Sequence, residues 1–401
     1  MPSLTRAEAT TRAALITVDA MEVDLDLDRG AEVFGSRTTI RFTARSPGAS
    51  TFVDLRARAL HVVTLNGHPL DPASVVDGRL ALTDLAADNV LEVEATMAYS
   101  HDGQGLHRST DPADGEDYVY GHLFLDAAST VFACFDQPDL KAPYTVAVRA
   151  PVEWTVLGNG GATVVAPGRT ELATTPPLAT YFVTVCAGPW ASVLAEHDGI
   201  PLGVHSRRSL EPHLAQQAEH MLATTRACFD HYHRLFGIRY PFGEYHQVFV
   251  PEFNAGAMEN PGCVTFRDTM VFRGAATPDQ VLSRSNTIAH EMAHMWFGDL
   301  VTMTWWEDLW LNEAFAEWAC HWAAVAATDF TDAWSSFLAS SKLSGYRADM
   351  APTTHPIREP TRDVADAAAN FDGITYPKGA SVLKQLVVYV GEEAFVAGLR
   401  D

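Results

Sequence analysis

His290-Glu291-Met292-Ala293-His294 has the form H-E-x-x-H, and Glu313 stands nineteen residues beyond its second histidine. On a helix, positions i and i+4 lie about 40° apart on one face. Both imidazoles can therefore reach one metal ion, while Glu291 leaves the helix beside them. A catalytic zinc takes three protein ligands and keeps its fourth position open, and a carboxylate from a neighbouring helix completes that set. The stretch thus predicts two adjacent helices holding one zinc ion through His290, His294 and Glu313. Glu291 is then free to serve as general base toward a water activated by the metal.

The flanks support this reading. Thr277-Pro278-Asp279-Gln280 has the form of a capping box with proline at the first helical position. The helix it opens is expected to run to Phe297 and to stop at Gly298. From Ile288 to that glycine, the only ionisable side chains are His290, Glu291 and His294, set among apolar residues. Such a group is costly to bury unless something pairs it, and a metal ion does so. In Trp310-Leu311-Asn312-Glu313-Ala314-Phe315-Ala316-Glu317 the two glutamates are four apart and share a face. Glu317 is placed to accept the free ring N–H of a metal-bound histidine.

Beyond this core the chain resembles the zinc aminopeptidases of the aminopeptidase N family. H-E-M-A-H followed after eighteen residues by the glutamate of W-L-N-E carries the resemblance. So do Gly256-Ala257-Met258-Glu259-Asn260 (G-A-M-E-N), Thr375-Tyr376-Pro377-Lys378-Gly379, and Phe132-Ala133-Cys134-Phe135-Asp136-Gln137-Pro138-Asp139. The resemblance implies an N-terminal saddle-like antiparallel β domain followed by a thermolysin-like α+β zinc domain. It implies hydrolysis of the N-terminal residue from small peptides. By the same resemblance, the Tyr376 O–H stabilises the oxyanion and Glu259 reads the free α-amine of the substrate. The glycine and alanine ahead of Glu259 then let a substrate backbone pair alongside.

Two departures from the family pattern stand out. A glutamine and a glutamate are expected ahead of C-F-D-x-P-D, and an ungapped count places His122 and Phe124 there. Amine anchoring then falls mainly on Glu259, with His122 or Asp126 as helpers. The family also continues through a helical domain, whereas Glu392 to Asp401 reads as an unfinished helix, so a fragment or truncated form is expected. Three other readings use the same residues. An endopeptidase has no use for the amine anchor Glu259. An epoxide-hydrolase-type relative resembles G-G-M-E-N at this loop. A catalytically idle zinc-bound peptide-binding module needs neither Glu291 nor Tyr376.

Composition sets outer bounds. The 401 residues are 47% hydrophobic and 19% charged, ordinary for a globular protein with two or three domains. A net charge of −22 argues against nucleic acid or an anionic membrane as partner. Five scattered cysteines read as reduced core residues. With no apolar run of membrane-spanning length and no signal-peptide order at Met1 to Arg6, the cytoplasm is expected. Strict alternation at Met21 to Asp28 predicts a half-buried strand, and Asn66-Gly67 and Asp102-Gly103 predict turns. The pattern turns helical near Pro212. Residues 1–195 are therefore expected to form the antiparallel β domain and residues 196–401 the catalytic domain.

Overall fold

Alternation along Met21 to Asp26 becomes the spine of the N-terminal sheet. Met21, Val23 and Leu25 point into the core and their neighbours point outward. The structure is a computed structural model describing residues 2–400. In it the strand Ile16–Asp26 joins an eight-stranded sheet through Val33–Ala44 and Asp88–Ala98 on one side. On its other side it pairs in parallel with Tyr144–Arg149, so the sheet is mixed rather than wholly antiparallel. Asn66 and Gly67 both have positive φ and join two antiparallel strands as expected of an Asn-Gly hairpin turn. Asp102-Gly103 instead bends a loop whose Gly103 carbonyl accepts a hydrogen bond from His122 Nδ1 at 3.0 Å.

Ahead of the first strand lies helix α1 (Arg6–Leu15), opened by a Thr5–Glu8 capping box. Its buried Arg12 donates to Gln137 at 2.6 Å and to Asp54 at 2.9 Å. The C-F-D-Q-P-D stretch therefore ties the N-terminal helix to the sheet. Asp136 accepts from Thr180 Oγ1 at 2.6 Å in the same buried layer.

A five-stranded sheet carries the second unit, in the order Ala191–His197, Ile200–Ser206, Tyr245–Val250, Cys263–Arg267, Ala257–Met258. The middle three strands are parallel and both edges are antiparallel. Position 195, where the sequence reading divides the chain, lies inside the first of these strands. The composition shift marks the next helix, whereas sheet membership begins earlier. Helix α2 (Glu211–Phe236) packs on this sheet and ends at Gly237 in the left-handed region. Helices α3 (Pro278–His294) and α4 (Leu309–Ala327) pack side by side, and a continuous hydrophobic core joins both units.

Helix α3 stops three residues short of the expected Phe297. Gly298 has φ +137°, and the chain wraps back so that the amides of Asp299, Leu300 and Val301 bond the carbonyls of His294, Met295 and Trp296. The last helical residue is therefore His294 itself, and the wrap delivers the Phe297 carbonyl to its ring.

Candidate metal and peptide site

The packing of α3 against α4 brings the expected set together. His290 Nε2 and His294 Nε2 each lie 3.4 Å from Glu313 Oε2, and all three residues are nearly enclosed. His294 Nδ1 lies 2.7 Å from Asn312 Oδ1 and 3.1 Å from the Phe297 carbonyl. Both partners are acceptors, so Nδ1 carries a proton and Nε2 is the atom left to ligate. That nitrogen faces a carboxylate across a gap too long for a good hydrogen bond. Two ligands each about 2.0–2.1 Å from a tetrahedral zinc stand about 3.3 Å apart, so the spacing fits an ion between them. The donor set, two imidazoles and a carboxylate, also suits zinc.

Asn312 was not singled out in the sequence reading, although it sits beside Glu313 and on the same helix. It is positioned in turn by Gly298. A Cβ there would come within 2.5 Å of Asn312 Oδ1, on a backbone that L side chains avoid.

Glu317 meets His290 from the other side, its Oε2 3.6 Å from Nδ1 and its Oε1 3.5 Å from His321 Nε2. Cys320 and His321, which the sequence reading did not select, reach the same wall.

These groups border a cavity of about 1090 Å³. Glu291 opens into it, and burial pushes its carboxyl up to about 8, with the neighbouring histidines opposing and Glu259 adding to the shift. Ala257–Met258 is the edge strand of the five-stranded sheet, so its outer backbone edge is free to pair with an extended peptide. Gly256, Ala257, Met258 and Glu259 line the cavity. Asn260 does not: its side chain turns back toward Thr265, with Nδ2 3.4 Å from Oγ1. Glu259 is 5% exposed, and its Oε1 has no hydrogen-bond partner. Burial raises its carboxyl above the ordinary range, against the pull of the nearby His294.

Tyr376 sits in a wide turn, Ile374–Lys378, closed by Lys378 N–H to Gly373 O at 3.2 Å. Its ring lies parallel to His290 at 6.1 Å and edge-on to Phe371 at 5.0 Å. Burial drives its hydroxyl well above the usual phenol value, so it remains a donor. The turn leads into helix Gly379–Val390, and Gly379 lets that helix touch α4. A Cβ at Gly379 would meet Ala314 Cβ at 2.6 Å.

His122 lines the cavity, held by the Gly103 carbonyl and edge-on to Phe253 at 4.9 Å. Burial depresses its pKa and favours the neutral ring. Phe124 lines the cavity among Tyr181, Trp306 and Phe371, with ring centroids 5.4, 5.9 and 5.3 Å away. Asp126 is not brought to the cavity lining. Its backbone carbonyl accepts from Arg56, which ties that segment away from the opening. Gln104 and Phe371 are further lining residues that the sequence reading did not identify. Among the described lining residues there is no lysine or arginine.

The family model of the Peptidase M1 N-terminal domain matches residues 20–182, and that of the Peptidase family M1 domain matches residues 220–401. The chain is 48% identical to aminopeptidase N of Streptomyces lividans, over 99% of the chain and 47% of that relative. It is 35% identical to the mitochondrial aminopeptidase 2 of Saccharomyces cerevisiae, over 77% of the chain and 33% of the relative. It is 28% identical to the tricorn protease-interacting factor F2 of Thermoplasma acidophilum, over 95% of the chain and 48% of the relative. The chain thus spans about half the length of these curated relatives, or less.

Proposed function

Because the chain belongs to peptidase family M1, whose members are zinc metallopeptidases, we propose that it removes N-terminal residues from small peptides with one zinc ion held by His290, His294 and Glu313. The observation that carries the exopeptidase reading is Glu259. It is a buried carboxylate with an unpartnered oxygen, at the end of a free edge strand and beside the His–His–Glu group. A buried carboxylate calls for a cation, and the substrate α-ammonium is one.

When bound, zinc supplies Lewis-acid polarisation of a carbonyl and activation of water. The chain's own residues do the rest. Gly256 and Ala257 offer backbone pairing to the substrate, and Glu259 fixes its amine. Glu291 takes a proton from water and hands it to the departing amine. Its burial-raised pKa suits an acceptor, and a dication between the histidines would pull that value down toward neutrality. Tyr376 donates its hydroxyl hydrogen to the oxygen on which negative charge builds. Phe124 and Phe371 give the region near the amine an apolar wall, with His122 neutral behind it.

We divide the chain ahead of Ala191, where the five-stranded sheet begins, rather than at 195. The five cysteines are all buried and unpaired in a disulfide, which supports a reducing compartment, and we assign the cytoplasm. Among the described residues, no helix is long and apolar enough to cross a membrane.

The test compares a free aminoacyl-arylamide with its N-acetylated form, with and without a chelator. Chelator-sensitive cleavage confined to the free amine is expected. Equal cleavage of both forms would replace this reading with that of an endopeptidase.

A further inference from the structure

We propose that the cavity wall behind His290 is a second binding site, for a thiophilic divalent cation such as zinc, formed by Cys320 and Glu317 of α4 together with Nδ1 of His290, with His321 backing Glu317. The inference rests on the reading that His290 gives its Nε2 to the first ion.

On α4, Glu317, Cys320 and His321 stand at i, i+3 and i+4, so they share one face. The neighbouring α3 turns the far nitrogen of His290 toward them. Ligating atoms of His290, Glu317 and Cys320 all lie within 4.8 Å of one another. Glu317 spans the group, 3.6 Å from His290 Nδ1 and 3.5 Å from His321 Nε2. Ligand atoms around a tetrahedral zinc stand about 3.3–3.6 Å apart for the usual Zn–N, Zn–O and Zn–S lengths.

The Cys320 thiol donates to the Glu317 backbone carbonyl at 3.2 Å, and the other hydrogen bonds of the group are poorly made. A ring that ligates through Nε2 has one hydrogen, on Nδ1, and one hydrogen serves one acceptor well. Here a carboxylate and a thiol converge on that nitrogen, and neither of the Nδ1–Glu317 and His321–Glu317 spacings reaches good hydrogen-bond length. Merely holding His290 in place needs Glu317 alone. A thiol, a carboxylate and an imidazole on one spot form a soft, mixed ligand set of the kind that selects zinc. All four residues line the cavity, so an ion has a path in.

Binding releases the Cys320 Sγ proton and the His290 Nδ1 proton to solvent, because only the deprotonated forms ligate. The second ion then takes over the oxygen with which Glu317 holds His290, and turnover falls as zinc rises above one equivalent.

The experiment is equilibrium dialysis of the zinc-loaded chain against rising free zinc, read by elemental analysis. A parallel titration with cadmium reads the ultraviolet thiolate–cadmium band. The wild type should take up a second equivalent and show the band. Cys320→Ser should lack the second equivalent at a zinc concentration that saturates the wild type, while keeping the first. His294→Ala should lose the first. Saturation of the wild type at one equivalent, or absence of the thiolate band, overturns the proposal. So does a second equivalent that survives Cys320→Ser unweakened. Zinc retained undiminished in His294→Ala would instead overturn the assignment of the first site, so the two failures are told apart.

Discussion

Replacing Glu259 by Gln tests the amine anchor with the least disturbance of shape. The structure makes the expected effect large. Glu259 is buried, its Oε1 has no partner in the protein, and the position where a second carboxylate is expected holds Phe124 in an aromatic cluster. Asp126, the other nearby acid, does not line the cavity. The remaining carboxylates closest to the amine region, Glu291 and Glu313, face the histidines. A buried charge-assisted hydrogen bond is worth roughly 1.5–3 kcal/mol. At about 1.4 kcal/mol per factor of ten, its loss lowers kcat/KM for a free-amine substrate by about ten- to a hundredfold or slightly more. An N-acetylated substrate has no charge to lose and should be nearly unaffected. The assay is therefore the ratio of kcat/KM for the free and acetylated forms of one arylamide, in wild type and Glu259→Gln. The ratio should collapse toward one. A preference that survives within a factor of two would refute the anchor and return the amine to another group.

Glu291→Gln should keep its zinc, measured by elemental analysis, yet lose turnover by orders of magnitude, whereas His294→Ala and Glu313→Ala should lose the metal. Tyr376→Phe should lower kcat far more than it raises KM, because its hydrogen bond strengthens only as charge develops, and steady-state kinetics will tell. Gly298→Ala, far smaller chemically, should weaken zinc retention against a chelator. It forces a Cβ onto Asn312 at a backbone angle that disfavours side chains, and Asn312 orients His294. Asp136 supplies a pH signature: burial raises its carboxyl from 3.8 to about 7 despite the Thr180 hydrogen bond. A group raised in the folded state contributes stability below its unfolded pKa and loses it as pH climbs through the folded one. Asp136→Asn should therefore gain denaturant resistance relative to wild type between about pH 4 and 7, then hold a constant margin above. A margin that does not change over that window would contradict the raised value.

The candidate metal-binding group was legible because its chemistry is periodic. His290, His294 and Glu313 lie on two helices whose 3.6-residue spacing converts sequence distance into direction. The N-terminal strands were legible for the same reason at period two, in Met21, Val23 and Leu25. What escaped was set by contacts between segments with no common period. The stop of α3 at His294 is fixed by the loop of Gly298 and by bonds from Asp299 to Val301, not by the apolar residues Met295 to Phe297 that continue the helical pattern. The parallel pairing of Ile16–Asp26 with Tyr144–Arg149 joins strands more than a hundred residues apart, and alternation is blind to strand direction. Asn260 has the composition of a site residue, yet it lies beyond the end of the strand Ala257–Met258, where its side chain turns toward Thr265.

Phe124 shows how a departure from pattern acquires physical sense once its neighbours are known. Read alone it is a missing negative charge. In the fold it is a half-buried member of a ring cluster whose other members come from residues 181, 306 and 371, of which Phe371 is the exposed one. A carboxylate at that point would be pressed against Trp306 and Tyr181, both buried, at a desolvation cost that no cation in the cavity lining offsets. The same apolar wall lowers the effective dielectric around Glu259 and strengthens its attraction for an ammonium. Losing one anchor and sharpening the other are thus two effects of a single aromatic side chain. It follows that Phe124→Glu is not a simple restoration. It adds charge but wets and loosens the wall, so the gain in amine binding should be smaller than the loss in Glu259→Gln. If Phe124→Glu instead tightens free-amine substrates by the full hundredfold, the wall contributes nothing and the cavity tolerates two carboxylates.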